Sequence, residues 1–348
     1  MSESPTKEFT DGERFLDLKK GADIVSSPYD GHECPSYRTF DVTMSENTVT
    51  TLPGMIFCAK QHIACVESVR EMARDTWAVG IHASELAANI TPGQFFMIRP
   101  ATGSDPLLGR PFALFDIYCD ADGKPAGVEF GFVKVGKLTS LMSQWSAGAE
   151  VSIWGPLGNG FPIPDCRHLI CVAGGIGQTP FLGVAREALG LTTYGSPARH
   201  MSQRPESVSL CYGVRSKNYL AGVKEFTIDG LDLKIATDDG SFGHRGFVTD
   251  LLKHQLASNR SGVHVYCCGP EAMMKAVAGI CKQQSVPCWL SLETPMACGF
   301  GACFSCVTKV VEPDGSWDYR RTCVEGPVFK AEQLYFARPE MSPASGAA

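Results

Sequence analysis

The chain has 348 residues, 44% hydrophobic and 20% charged, with a formal net charge of −6. That length is generous for one core and predicts two or three packed units. The acidic balance argues against nucleic acid or an anionic membrane surface as partner, and no run approaches the roughly 20 apolar residues of a membrane-spanning helix. The polar opening MSESPTKEFTDGERF holds no apolar stretch of the signal-peptide kind, so a cytoplasmic location is expected.

Residues 1–58 mix Gly, Pro, Ser and Thr without a sustained helical or strand period, and are expected to form an irregular N-terminal extension. Between residues 59 and 164 lie the runs IACVESVREM, TWAVGIHA, GQFFMIRP, PFALFDIY, GVEFGFVKV and AEVSIWGP. Each is rich in β-branched or aromatic residues and bounded by Gly, Pro or Asp. They predict a small antiparallel β-barrel, with ELAANI and KLTSLMSQW as helical pieces between strands.

The rhythm changes between residues 165 and 286. HLICVAG, SVSLCYGV, LDLKIATDD and VHVYCCGP are apolar strands, and PFLGVAREALG, RGFVTDLLKHQL and EAMMKAVAGICKQQ are helical stretches between them. Alternation at this spacing predicts an α/β domain with a parallel sheet and helices on its faces. Ligands bind such sheets beyond the carboxyl ends of the strands, which directs attention to the loops GGIGQTP, GVRS, TDDGS and CGPEAM. Residues 287–348 read as a cysteine-bearing module and tail with little regular pattern.

There are 15 cysteines, an odd number that suits a disulfide framework poorly. Cys119, Cys171, Cys211 and Cys267 stand singly in apolar surroundings and are expected to be small buried hydrophobes, as is Cys288. Cys298, Cys303 and Cys306 differ, being separated by four and then two residues, with Cys323 following after sixteen more. C-x4-C-x2-C with a distant fourth Cys is the spacing of a plant-type [2Fe–2S] cluster. Each iron needs two thiolates, and the interleaved Gly299 and Gly301 permit the close backbone approach and positive φ that such a loop requires. Structural zinc and unrelated buried thiols are the competing readings, though zinc favours two separated C-x2-C pairs.

Other motifs admit two readings each. Arg110-Pro111-Phe112-Ala113 opens a strand; Arg110 can offer its forked guanidinium to a phosphate, or be an ordinary surface Arg. Gly136-Lys137-Leu138-Thr139 starts a helix, as an anion site or as a plain cap. In GGIGQTP, Gly174, Gly175 and Gly177 let a phosphate-bearing ligand approach the backbone, and three glycines in four residues have no evident structural return. Cys268-Gly269-Pro270 ends a later strand, under a nicotinamide or as structural packing. The carboxylates of TDDGS accept ligand hydroxyls or merely make an Asp-Gly turn.

The order RPFA, G-x-x-T, GPLGNGF, GGIGQTP, TDDGS-x-G, CGP-x-x-M and the cysteine loop resembles the ferredoxin-NADP-reductase-like flavoproteins. SLETPMACGFGACFSCV followed by RRTCVEGPVF is similar to the electron-transfer subunits of NAD-linked dihydroorotate dehydrogenases. The resemblance implies a barrel holding FAD, a nucleotide domain for NAD and a C-terminal lobe with one [2Fe–2S] cluster. Arg110, Pro111, Phe112 and Ala113 would lie along the FAD, with Gly136 and Thr139 at its pyrophosphate. Gly174, Gly175, Gly177, Cys268, Gly269 and Pro270 would line the NAD side, and Cys298, Cys303, Cys306 and Cys323 would bind the cluster. Ala113 stands where the family usually has Ser or Thr, which implies no side-chain hydroxyl beside the flavin N5.

The resemblance further implies a role in pyrimidine biosynthesis. Electrons from dihydroorotate, oxidised on a separate FMN-containing catalytic subunit, would pass through [2Fe–2S] and FAD to NAD+, in a heterotetramer. A flavin must stand between a one-electron cluster and a hydride acceptor; no acid–base dyad is required here. An NAD(P)H-oxidising subunit of a hydrogenase, sulfite reductase or ferredoxin reductase complex is the alternative on the same scaffold, with Arg215 and Ser216 placed to reach a 2′-phosphate. A zinc-stabilised binding module without flavin is the alternative of another class.

Overall fold

The computed structural model describes residues 59–258 and 261–336. The expected extension over 1–58 and the tail beyond 336 lie outside the described residues.

The first sheet contains β1 (Lys60–Ala73), β2 (Thr76–His82), β3 (Phe95–Pro100), β4 (Arg110–Ala113), β5 (Asp116–Cys119), β6 (Pro125–Val133) and β7 (Glu150–Leu157), in the order β4-β3-β7-β1-β2-β6-β5. Every neighbouring pair is antiparallel. PFALFDIY, one strand by its apolar pattern, is two strands at opposite edges of the sheet. Leu114 N–H donates to Gln94 O (3.0 Å) and Phe115 N–H to Glu129 O (2.8 Å), so two residues step across the seam and close the barrel. Phe112 meets Phe130 across that seam, ring centroids 4.8 Å apart. Alternate residues such as Val66, Val79, Phe96, Ile98, Val128, Phe130, Val151 and Ile153 fill the interior. Helices α1 (Ser84–Asn89) and α2 (Lys137–Met142) add Leu86, Leu138 and Met142 to this core.

The second sheet is built from β8 (His168–Gly174), β9 (Ser207–Val214), β10 (Leu231–Thr237), β11 (His244–Arg245), β12 (Val263–Cys268), β13 (Cys288–Ser291) and β16 (Val328–Lys330). Its order is β11-β10-β9-β8-β12-β13-β16, parallel throughout except for the antiparallel β16. Helix α3 (Pro180–Leu189) covers one face with Phe181, Leu182 and Ala185. Helices α4 (Val248–Ser258) and α5 (Glu271–Gln283) cover the other with Leu252, Leu256, Met274 and Val277. Strands buried on both faces explain the unbroken apolar runs.

Cys171, Cys211, Cys267 and Cys288 are buried in these layers; burial pushes the first three thiols up, Cys211 to about 12, and the neighbouring Cys281 together with burial pushes up Cys288. Cys119 departs from the expectation: it lies at the exposed end of β5. The stretch after residue 287 is also more regular than its composition suggests. β13 and β16 extend the parallel sheet, and β14 (Val307–Val311) pairs with β15 (Trp317–Arg321) as a hairpin. Among the described residues no helix is long and apolar enough to cross a membrane.

Candidate cofactor sites

The cysteine loop lies against the outside of the barrel. Phe95, Met97 and Leu157 of β3 and β7 form one buried core with Met296, Cys306 and Cys323. Gly299 (φ +80°) and Gly301 (φ +98°) take the left-handed backbone that favours glycine. A Cβ on Gly299 would lie 2.5 Å from Met97 Cγ, so this position has no room for any other residue.

Cys306 Sγ lies 3.1 Å from Cys323 Sγ, and Cys298 is among the groups that act on the Cys303 thiol. Among the described residues no three His, Cys, Asp or Glu side chains converge as around a single ion. Four cysteines on this loop supply the four thiolates that two irons need. Ser305 Oγ lies 3.1 Å from the exposed Cys303 Sγ and draws that thiol down to about 6. Burial pushes Cys323 the other way.

The RPFA strand is β4, next to β3 and therefore one strand from the cysteine loop. Arg110 is exposed, and its guanidinium donates to its own chain at Leu108 O (3.1 Å) and Gly109 O (3.0 Å). Ala113 brings no hydroxyl. At the start of α2, Thr139 Oγ1 accepts from Val135 N–H (3.0 Å) and Gly136 N–H (2.9 Å) and donates to Gly136 O (3.1 Å). That turn is a self-closed cap, while the outer side of Gly136 opens on free space.

Beyond β8 the glycines have a packing reason that the sequence concealed. A Cβ on Gly177 would fall 2.4 Å from Cys268 O, and one on Gly174 would fall 2.6 Å from Met273 Sδ and 2.8 Å from Pro270 Cδ. The GGIG loop and the Cys268-Gly269-Pro270 turn are thus pressed together, and the expectation of no structural return does not hold for these two residues. Gly175 alone of the three opens on free space, with φ +56°. Burial raises the Cys268 thiol to about 12, so it stays protonated. The same loop abuts the barrel: a Cβ on Gly131 of β6 would meet Thr179 Cγ2 at 2.9 Å.

Two family models match the chain. Residues 293–335 match the iron–sulfur cluster binding domain of dihydroorotate dehydrogenase B. Residues 171–279 match the oxidoreductase NAD-binding domain. The dihydroorotate dehydrogenase B (NAD(+)) electron transfer subunit of Desulforamulus reducens is 34% identical over 273 residues, 78% of this chain and 97% of that protein. Its counterpart in Geobacillus thermodenitrificans is 35% identical over 77% of this chain and 96% of that protein. The chain belongs to this family. Its fold also matches a solved NADH-dependent reduced ferredoxin-NADP oxidoreductase, with a TM-score of 0.65 and 27% identity over 79% of this chain and 90% of that one.

As a member of this family the chain is an oxidoreductase electron-transfer subunit with FAD, one iron–sulfur cluster and NAD as its cofactor set, and it implies a catalytic partner subunit. The donor set of the cysteine loop, the free space over Gly175 and the open side of Gly136 are compatible with that set.

Several residues that hold these loops lie inside the quoted motifs without being singled out individually by sequence pattern. Asn159 clamps the GPLGNGF loop to the chain around β16: its N–H donates to Gly326 O (2.7 Å), its Nδ2 to Glu325 O (3.1 Å) and Val328 O (2.8 Å), and its Oδ1 accepts Val328 N–H (3.1 Å). Arg321 donates to Gly301 O (3.1 Å) and covers Phe304 at 4.8 Å. Buried Thr322 donates to Cys306 O (2.9 Å). Partners so distant in sequence leave no local signature.

Proposed function

We propose that this chain relays electrons from dihydroorotate oxidation, on an FMN-containing catalytic subunit, through [2Fe–2S] and FAD to NAD+, as a step of pyrimidine biosynthesis in a cytoplasmic heterotetramer. When bound, the cluster supplies one-electron transfer and the flavin converts single electrons into the hydride that NAD requires. The chain's own residues bind and orient. Cys298 with Cys303 and Cys306 with Cys323 would each hold one iron, while Arg110, Pro111, Phe112, Ala113, Gly136 and Thr139 would hold FAD. Gly174, Gly175, Gly177, Cys268, Gly269 and Pro270 would admit the dinucleotide.

The segments 1–58, 59–164, 165–286 and 287–348 would correspond to extension, flavin barrel, nucleotide domain and cluster lobe, with β13 and β16 shared between the last two. The observation that carries the reading is a four-cysteine loop seated against β3 and β7 with Cys306 and Cys323 Sγ 3.1 Å apart, beside the RPFA strand. Co-expression with an FMN-containing dihydroorotate dehydrogenase subunit tests it. A stable complex that reduces NAD+ with dihydroorotate supports the assignment; a chain that binds no such subunit and oxidises NADPH for another acceptor contradicts it.

A further inference from the structure

Trp154 is a large ring on the outward face of a barrel strand. It lies in β7, opposite Gln61 of β1 and Met97 of β3. Its neighbour Ile153 points into the barrel, so the two-residue alternation turns Trp154 outward, against the core shared by Met97, Leu157, Cys306 and Cys323. Two contacts distinguish it. Its Nε1–H donates to the carbonyl of Cys298 at 2.9 Å. The far edge of the same ring covers Gly109, where a Cβ would fall 2.5 Å from Cη2. Gly109 directly precedes Arg110 of β4. One indole therefore touches both the first thiol-bearing residue of the cysteine loop and the residue that opens the RPFA strand.

A half-buried indole N–H requires an acceptor, and a backbone carbonyl in an irregular loop requires a donor. Each satisfies the other, and the bond ties the loop to the barrel. We propose that Trp154 is a positioning residue that docks the cluster-holding loop onto the flavin-holding strand and so sets the rate of electron exchange between the two cofactors. This rests on the functional reading above. Trp154 is itself neither oxidised nor reduced: one electron leaves the donor cofactor and arrives on the other. Such exchange slows steeply with separation, so an undocked loop is a slow loop.

The full-length holoprotein carrying Trp154→Phe, which keeps the packing and deletes the donor, tests this beside Gly109→Ala, whose added Cβ displaces an intact indole. Iron and FAD content, the thermal midpoint and the NADH-to-flavin step are measured together with flavin-to-cluster exchange by rapid mixing and freeze-quenched EPR. Both variants are expected to retain iron, FAD and the NADH step with only a slightly lower thermal midpoint, and exchange is expected to be about fivefold slower in Trp154→Phe, the equilibrium weight of one ordinary hydrogen bond. Gly109→Ala is expected to slow it in the same direction. Exchange at the wild-type rate in both loaded variants overturns the proposal, and so does loss of the cluster from both, which makes the role merely structural. A wild-type chain that binds neither cluster nor flavin sinks the functional reading before any variant is compared.

Discussion

Gln178 follows the last glycine of the GGIG loop and is fully buried, yet neither its Nε2 nor its Oε1 has a hydrogen-bond partner. Its surroundings include Phe115, Phe226 and Gly222. An unpartnered buried amide costs about 1–3 kcal/mol, so Gln178→Leu is expected to raise the unfolding free energy by about 1 kcal/mol in urea titration. A loss of stability would show that the amide is partnered in solution. Gly177→Ala tests the neighbouring contact: its Cβ meets the Cys268 carbonyl, a backbone atom that cannot swing away. Overpacking of this kind costs about 1–3 kcal/mol. The KM for NADH is expected to rise while FAD content holds, and an unchanged KM would separate this turn from dinucleotide binding.

The cysteine elements show what could be read from the sequence and what could not. The spacing of Cys298, Cys303 and Cys306 is local, because one loop must wrap one cluster, and it is legible to anyone counting residues. Gly174 and Gly177 were legible as constrained, but the constraint was misread, since the surface they press on arrives some ninety residues later at Cys268 and Pro270. The break inside PFALFDIY was not legible, because Leu114 and Phe115 are as apolar as the strands they separate and only barrel closure divides them. Asn159 was hidden for the same reason, its partners lying 166 and 169 residues away. Asn159→Ala removes three side-chain hydrogen bonds and is expected to destabilise the protein by about 2 kcal/mol in chemical denaturation. A neutral outcome would mean that the clamp is redundant. Cys323→Ser is expected to abolish the cluster signal while FAD remains, whereas Cys288→Ser leaves both; iron retained in Cys323→Ser would remove that residue from the ligand set.

At the scale of the molecule, barrel and parallel sheet are held together by a charged contact as well as by packing. Arg186 of α3 reaches Asp116 of β5 at 2.5 Å, and Tyr194 donates to the same carboxylate at 3.0 Å. Burial outweighs the guanidinium and holds the Asp116 carboxyl above its ordinary range. Asp116→Ala strands both partners and is expected to cost about 2 kcal/mol, less than for a fully buried pair because Arg186 is one-third exposed.

The division into barrel and α/β domain was legible in the change from strand-only to strand–helix rhythm, whereas this joint was not, since nothing near Asp116 announces α3. The most direct test of the whole is visible absorbance with metal and sulfide analysis on the anaerobically purified full-length chain. A brown-yellow protein with iron and acid-labile sulfide in equal amounts, bound FAD and an EPR signal on reduction is expected. A colourless protein containing zinc, or no metal at all, would contradict it.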